Sequence, residues 1–350
     1  MYKNFFMGIA AMAVLTLVSC SSDDLNSLSD NSSKNEAISF DSYLGRSAVS
    51  VNGSRGSVLN KDALQKPTEG FGVFGNYNST VGEDFGSNLF ENQKVTYSTE
   101  ETKWTYSPKK YWSPQGHIDF LAYAPHVDGT TLKNKSCIEF TVADNAADQK
   151  DLLWANAANQ TMANNSGTDK KVKFQFAHAL SRLGYTVKTS SDDASTTITL
   201  KKITLAGSSD GTENAFYTTG TIDLSKTSST DLWTISTSDA KQKFDWFSGT
   251  QKLATTDYKN PDANYLFVIP QDFSQETENP NKLFVVVEYT VKTGATEEVM
   301  SKVSKQITKN FLQGKAYLIN LSLGLTPIEF DVTTVEGWTD TNQGEINAWN

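Results

Sequence analysis

The residues with the most specific chemistry lie near the start of the chain, where Leu17-Val18-Ser19-Cys20 ends an apolar run that begins at Phe5. A lipoprotein signal peptidase requires small side chains beside the bond it cuts, and the thiol of Cys20 can form a thioether to a diacylglycerol. The apolar run has 13 residues, whereas a membrane-spanning helix needs about 20. A plain secretory signal would end in a small-x-small pattern instead. The segment therefore predicts a signal peptide over residues 1–19 and lipidation of Cys20.

The next elements must carry this anchor to a folded body. Residues 20–36 are almost all polar, which predicts a flexible tether. Ile38, Phe40 and Leu44 then share one parity, the pattern of a half-buried strand, and we predict a strand over residues 37–46.

Arginine is rare and unevenly placed. The chain has three arginines among 31 basic residues, and two of them, Arg46 and Arg55, directly follow the predicted strand. An arginine-specific protease would find few targets, and cleavage there would detach residues 20–46 or 20–55. The alternative interpretation is chance placement of two solvated charges.

The rest of the sequence predicts an all-β protein. Short apolar runs alternate with polar residues between frequent turns, and windows with helical periodicity are few. A polar, glycine-containing stretch over residues 156–171 suggests a boundary between domains at 47–165 and 166–350. This pattern favours two antiparallel β-sandwiches in tandem. The runs that carry this prediction include Gly70–Gly75, His117–Ala124, Ile138–Val142, Val172–Phe176, Tyr185–Val187, Ile198–Leu200, Ile203–Leu205, Leu283–Val291 and Tyr317–Leu325.

Composition argues against several classes of function. The formal charge is −9, and because residues 1–19 contain one lysine and no acid, the chain from Cys20 would carry −10. No extended basic cluster is present, so we expect no nucleic-acid partner. We expect no metal, no cofactor and no enzymatic activity, because the three histidines, His117, His126 and His178, form no metal-binding or catalytic motif. Cys137 is expected to be a small buried residue.

Aromatic residues suggest a second interpretation. Trp104, Trp112 and Trp154 could stack on sugar rings, which would make the protein a monomeric surface lipoprotein that binds glycans. Large aromatic residues more often fill the cores of β proteins, and we favour a core position for these three.

An ordered set of motifs resembles the fimbrillin (Mfa-like) family of type V pilins. The motifs span most of the chain after Cys20, and their order makes the set specific. They are Gly72–Phe74, Trp104–Pro114, Ile118–Pro125, Asp151–Ala155, Phe176–Leu183, Val268–Gln271 and Gly314–Leu321.

This resemblance implies a fold and a route of assembly. It implies two transthyretin-like β-sandwiches, and a lipoprotein precursor that is held on the outer membrane through Cys20 and exposed at the cell surface. An arginine-specific protease would cut after Arg46, with Arg55 as second candidate, because Gly45-Arg46-Ser47 differs from the Thr-Arg-Ala expected. An uncleaved, permanently anchored subunit is the alternative.

The resemblance also implies which strands are exchanged. The strand with Ile38, Phe40 and Leu44 would plug a groove in the N-terminal domain until cleavage removes it. A donor strand from another subunit of the fimbria would then fill the groove, in a homopolymer or a heteropolymer. The candidate donor lies in the C-terminal segment 327–350, where Ile328, Phe330 and Val332 share one parity.

Overall fold

The computed structural model of the protein describes residues 36–44, 59, 61–66, 69–165, 170–227, 231–259, 265–274, 281–324 and 329–335. Helical structure in these ranges is limited to one four-residue helix, α1 (Lys61–Leu64), and one 3-10 turn, Ala146–Asp148. The prediction of an all-β fold built from antiparallel sheets is confirmed, although two strand pairs are parallel.

The strands of the first half of the chain are β1 (Phe40–Leu44), β2 (Phe71–Asn78), β3 (Phe90–Ser98), β4 (Lys103–Thr105), β5 (His117–Ala124), β6 (Cys137–Thr141), β7 (Leu153–Gln160) and β8 (Val172–His178). The strands of the second half are β9 (Ser181–Thr189), β10 (Thr196–Ala206), β11 (Phe216–Tyr217), β12 (Thr219–Asp223), β13 (Trp233–Ile235), β14 (Lys241–Gln242), β15 (Phe244–Lys252), β16 (Tyr258–Lys259), β17 (Leu266–Val268), β18 (Phe284–Thr293), β19 (Val299–Gln306), β20 (Ala316–Leu323) and β21 (Glu329–Val335).

A seven-stranded sheet in the order β1-β8-β7-β5-β2-β3-β4 forms the N-terminal half. The β1–β8 pair is parallel, and the other neighbours are antiparallel. The two end strands, β1 and β4, contact each other, so the sheet curls around its own apolar face. Aromatic residues from most of its strands fill this N-terminal core, which contains Phe40, Phe71, Phe90, Trp104, Tyr106, Trp112, Phe120, Phe174 and Phe176.

Two sheets pack against each other in the C-terminal half. One has the order β15-β10-β18-β19, and the other has the order β16-β9-β20-β21, with β17 also paired to β9. Strands β9 and β20 are parallel. The C-terminal core between the sheets includes Tyr185, Leu200, Trp246, Val287 and Ile319.

Strand β10 explains a break in the sequence pattern. The predicted strands Ile198–Leu200 and Ile203–Leu205 are one continuous strand, with a register shift between Leu200 and Lys202. A β-bulge adds one residue and reverses which parity faces the core. The side chains of Leu200 and Ile203 are therefore both fully buried.

The two halves are joined by shared elements. Strand β6 from the first half pairs with β12 from the second in the three-stranded sheet β13-β12-β6. A third apolar cluster, here called the junction cluster, combines residues of both halves, among them Phe74, Leu121, Leu180, Ile222 and Phe267.

The chain passes from the seven-stranded sheet to the C-terminal sheets later than the predicted boundary at 165/166. Residues 153–160 form β7, within the seven-stranded sheet, and β8 (Val172–His178) belongs to the same sheet. The first strand of the C-terminal sheets, β9, begins at Ser181. Ala179 and Leu180 connect β8 to β9 and are completely buried, so this connection is part of the apolar interior.

Candidate functional site

The candidate site is the groove that β1 occupies at the edge of the seven-stranded sheet. Side chains of this segment alternate as the sequence predicts: Ile38 and Phe40 are buried, whereas Tyr43 on the opposite face is 46% exposed. Ser42 shares the inward parity and is also buried, and Leu44 packs on the N-terminal core at its margin.

Phe40 occupies the centre of an aromatic cluster. Its ring is 98% buried, and it stacks on Phe174 of β8 with 5.6 Å between ring centroids. Edge-on or tilted contacts connect Phe40 to further rings at 5.4 to 6.5 Å, those of Phe71, Phe90, Tyr106 and Phe120. Aromatic pairs at such distances are favourable beyond the apolar area that they bury. An edge strand of five residues thus supplies the central ring of the N-terminal core.

Backbone hydrogen bonds hold this segment on two sides. On the β8 side, the N–H of Val172 donates to the carbonyl of Ser39 at 2.8 Å. On the other side, the N–H of Ile38 donates to the carbonyl of Lys110 at 2.9 Å, and the N–H of Trp112 donates to the carbonyl of Glu36 at 2.9 Å.

Tyr106 closes the groove over the start of β1. Its hydroxyl donates to the carbonyl of Ile38 at 2.8 Å, and its ring contacts Phe40. Burial raises the pKa of Tyr106 to about 12, so the phenol stays protonated and able to donate over the physiological range. Tyr106 was not predicted as a site residue, although it lies in one of the motifs that carry the family resemblance.

Lysines beside β8 face the acidic groups of the N-terminal segment. Lys170 pairs with Glu36 at 2.6 Å, and Lys171 approaches Asp41 at 3.7 Å. These side chains are partly exposed, so each pair contributes little to stability. They do give the rim of the groove a positive charge that matches the acidic strand. The Lys170-Lys171 pair is visible in the sequence, but the sequence does not show that these two lysines face the N-terminal segment.

The predicted donor segment lies elsewhere, at the edge of a C-terminal sheet. Strand β21 pairs with β20 in antiparallel register, with Val332 opposite Ile319 and Phe330 opposite Leu321. Val332 is half-buried and packs against the C-terminal core. Ile328 lies outside the described residues. The structure thus shows the backbone of the candidate donor strand on its own subunit, on a sheet other than the one that contains the groove.

The processing residues lie outside the described part of the chain. This holds for Cys20, Arg46 and Arg55. The third arginine, Arg182, is 93% buried, and its guanidinium lies 4.8 Å from the centre of the Tyr265 ring.

The histidines do not converge on one site. His117 contacts Asp119 at 3.2 Å, and His178 contacts Asp151 at 2.7 Å. These pairs lie at opposite ends of β5, since His117 begins the strand and the register places His178, two strands away on β8, level with its last residue, Ala124. At about 3.3 Å per residue, the separation is roughly 23 Å.

His126 lies apart from both pairs, with its Nε2 3.3 Å from the carbonyl of Asn92. Within the described ranges, no group of three or more histidine, cysteine or acidic side chains is placed to hold a metal ion. Burial raises the pKa of the Cys137 thiol, which disfavours the reactive thiolate.

The tryptophans considered for sugar binding are core residues. Trp104, Trp112 and Trp154 are each at most 7% exposed. Their ring faces are not available for stacking on a glycan, so the structure gives the glycan-binding interpretation no support from these three residues. No helix in the described parts of the chain is long and apolar enough to cross a membrane.

Fold and groove together define an all-β protein with tandem halves, one of which is completed by a terminal strand. Comparison with known families matches residues 60–338 to the fimbrillin-like family. The chain therefore belongs to the fimbrillin-like family, and the predicted resemblance is confirmed.

Solved structures share this fold. A fimbrial protein from Bacteroides vulgatus matches with a TM-score of 0.64 and 21% identity, over 87% of this chain and 100% of the other. A candidate cell adhesion protein from Bacteroides uniformis matches with a TM-score of 0.51 and 16% identity, over 87% of this chain and 99% of the other. A search of curated proteins finds no match.

Proposed function

We propose that this chain is a structural or adhesive subunit of a cell-surface fimbria, assembled when β1 is replaced by a strand of another subunit. Membership of the fimbrillin-like family supports the fimbrial role. The observation that carries the exchange mechanism is the position of β1, a five-residue edge strand that contributes Phe40 to the centre of the N-terminal core.

Removal of β1 would create a site with high affinity for another strand. Three apolar side chains would leave the core. Ile38 and Phe40 are fully buried and each contributes roughly 1.5 to 3 kcal/mol, whereas Leu44 is partly buried and contributes less. The edge of β8 would also lose the hydrogen bond from Val172 to Ser39. An open apolar groove beside an unpaired strand edge is a template for β-augmentation. Keeping β1 in place until export is complete would prevent premature pairing.

The proposed route uses residues on both sides of β1. Lipidation of Cys20 holds the precursor on the outer membrane, at the cell surface, and cleavage at Arg46 or Arg55 separates the folded body from the anchored segment that contains β1. Burial of Arg182 supports cleavage at Arg46 or Arg55 alone, because a protease acting on the folded protein would not reach Arg182. The protein has no catalytic role in this scheme, and the other fimbrial subunits and the protease are its partners.

Treatment of the folded chain with an arginine-specific protease tests the proposal. We expect the monomer to convert to a ladder of SDS-resistant multimers, and we expect Arg46→Ala, Arg55→Ala or the double substitution to block this conversion. Lys66→Ala is the matched control, because Lys66 is an exposed basic residue after the predicted sites and its loss should leave the ladder unchanged. If cleavage yields only a trimmed monomer, assembly by strand exchange is wrong.

A further inference from the structure

Two segments, one near each end of the chain, share a short sequence pattern. Ile38-Ser39-Phe40-Asp41 begins the segment in the groove, and Ile328-Glu329-Phe330-Asp331 leads into and begins β21. The pattern Ile-x-Phe-Asp occurs at these two places in the sequence and nowhere else. Resting on the proposed function, and with the C-terminal segment of a second copy as the donor that the family resemblance implies, we propose that this shared pattern sets the register of the inserted strand, with Phe330 seated in the place of Phe40.

The aromatic cluster supports this register. The groove surrounds Phe40 with five rings at 5.4 to 6.5 Å, a site that matches a phenyl group in size and shape. A shift by one residue would turn Phe330 away from the core, because side chains alternate along a strand. A shift by two would place Ile328 or Val332 in the aromatic site, and neither can make ring contacts.

The charged rim supports the same register. Asp41 lies opposite Lys173 in the β1–β8 pairing, and its carboxylate is 3.7 Å from the Lys171 ammonium. In the proposed register Asp331 takes the place of Asp41. Glu329 takes the place of Ser39, whose carbonyl accepts from Val172, the residue between these two lysines. The incoming strand would therefore bring two carboxylates to the basic edge of β8.

Pro327 is compatible with its place in this register. It would occupy the position of Ala37, which bridges to Tyr111 beside the groove. The two hydrogen bonds of this bridge use the N–H of Ile38 and the carbonyl of Glu36, so neither needs an N–H from residue 37. Proline, which lacks that donor, is tolerated at such a position.

Two of the inward-facing positions differ between the strands, and their effects on apolar contact are opposite. Val332 would replace the buried Ser42, which adds apolar contact in the groove. Thr334 would replace Leu44, which packs at the margin of the core and contributes less. Because Ser42 is buried, its replacement by Val332 favours the donor strand over β1 in the groove.

Cysteine cross-linking measures the register directly. The acceptor variant is Lys173→Cys, and the donor variants are Asp331→Cys, Glu329→Cys and Thr333→Cys, each in a Cys137→Ser background. Cleavage after Arg46 or Arg55 removes the other native cysteine, Cys20. A single uncut chain with Asp41→Cys and Lys173→Cys, in which both native cysteines are replaced by serine, calibrates the link, because these residues are register partners.

After acceptor and donor chains are mixed, cleaved and oxidised, we expect Asp331→Cys to give the dominant disulfide to residue 173. Glu329 and Thr333 each lie two residues from Asp331, roughly 7 Å along the strand. In the proposed register, cysteines at these positions would be too far from residue 173 to form a disulfide. A dominant link from either of these, or a ladder without any link, overturns the assigned register and leaves the proposed function standing. Absence of a ladder from the cleaved wild-type chain overturns the proposed function itself.

Discussion

At the scale of single residues, Phe40 determines how strongly β1 is held. Its ring is 98% buried among five other rings, and truncation of a buried phenylalanine costs about 3 to 5 kcal/mol. We expect Phe40→Ala to lower the free energy of unfolding of the uncleaved chain by this amount in urea denaturation. Tyr43→Ala is the control on the same strand, since this side chain points outward and should change stability by no more than about 0.5 kcal/mol. Equal losses from the two substitutions would contradict a specific role for the Phe40 site.

Tyr106 makes the groove sensitive to alkaline pH. Burial raises its pKa in the folded state to about 12 from the ordinary tyrosine value of 10.0. The folded state therefore binds the phenolic proton more tightly, and this stabilisation is complete below pH 10 and lost as the pH rises towards 12. The phenolate would also be unable to donate to the carbonyl of Ile38.

We expect the free energy of unfolding to fall more steeply for the wild type than for Tyr106→Phe between pH 10 and 12. Urea denaturation at several pH values measures this difference. Titration of lysines and of the other buried tyrosines affects both proteins and cancels in the comparison. Parallel curves for the two proteins would show that Tyr106 is not responsible.

At the scale of elements, alternation predicts the strands that are rich in apolar residues, including β5, β8, β18 and β20. The sequence does not predict β7, because the residues from Asn156 on have the polar composition expected of a linker. The physical reason is its composition, because the amide of Asn156 donates to the carbonyls of Leu224 and Lys226 at 2.9 and 2.7 Å instead of filling an apolar core. Alternation also gives neither the partner of a strand nor its direction, so the parallel pairing of β1 with β8 could not be predicted.

Strand β21 is expected to be required for donating but not for accepting. A chain that ends at Gly324 lacks β21 and keeps the whole groove, so after cleavage it should add to a growing polymer and stop it at that end. A chain that ends at Val335 retains β21 and is the matched control. Mixing each truncated chain with wild type and measuring ladder length on SDS gels checks this prediction. Shortening by both chains would show that residues beyond 335 are needed, and shortening by neither would exclude β21 as the donor.

At the scale of the whole molecule, the sequence predicted two tandem halves, but it did not show how far they are merged. Strand β6 pairs with β12 across the division, and β8 continues into β9 through two buried residues. Such contacts join residues far apart in the chain, and a polar pattern between apolar runs carries no information about them. In a fimbria, the groove at β8 and the candidate donor strand beside β20 would be connected through this shared interior, since β9 pairs with β20.

The junction cluster should therefore stabilise both halves together. Leu180 lies between β8 and β9, is fully buried and belongs to this cluster. Truncation of a buried leucine costs about 2 to 5 kcal/mol, and we expect Leu180→Ala to lower protection from hydrogen exchange by a similar free energy in β5 and in β18. Leu312→Ala is the control, because Leu312 is 51% exposed and its loss should change neither strand measurably. Loss of protection in only one of the two strands would mean that the halves unfold independently, and the groove would then not be coupled through the junction cluster to the sheet that contains the candidate donor strand.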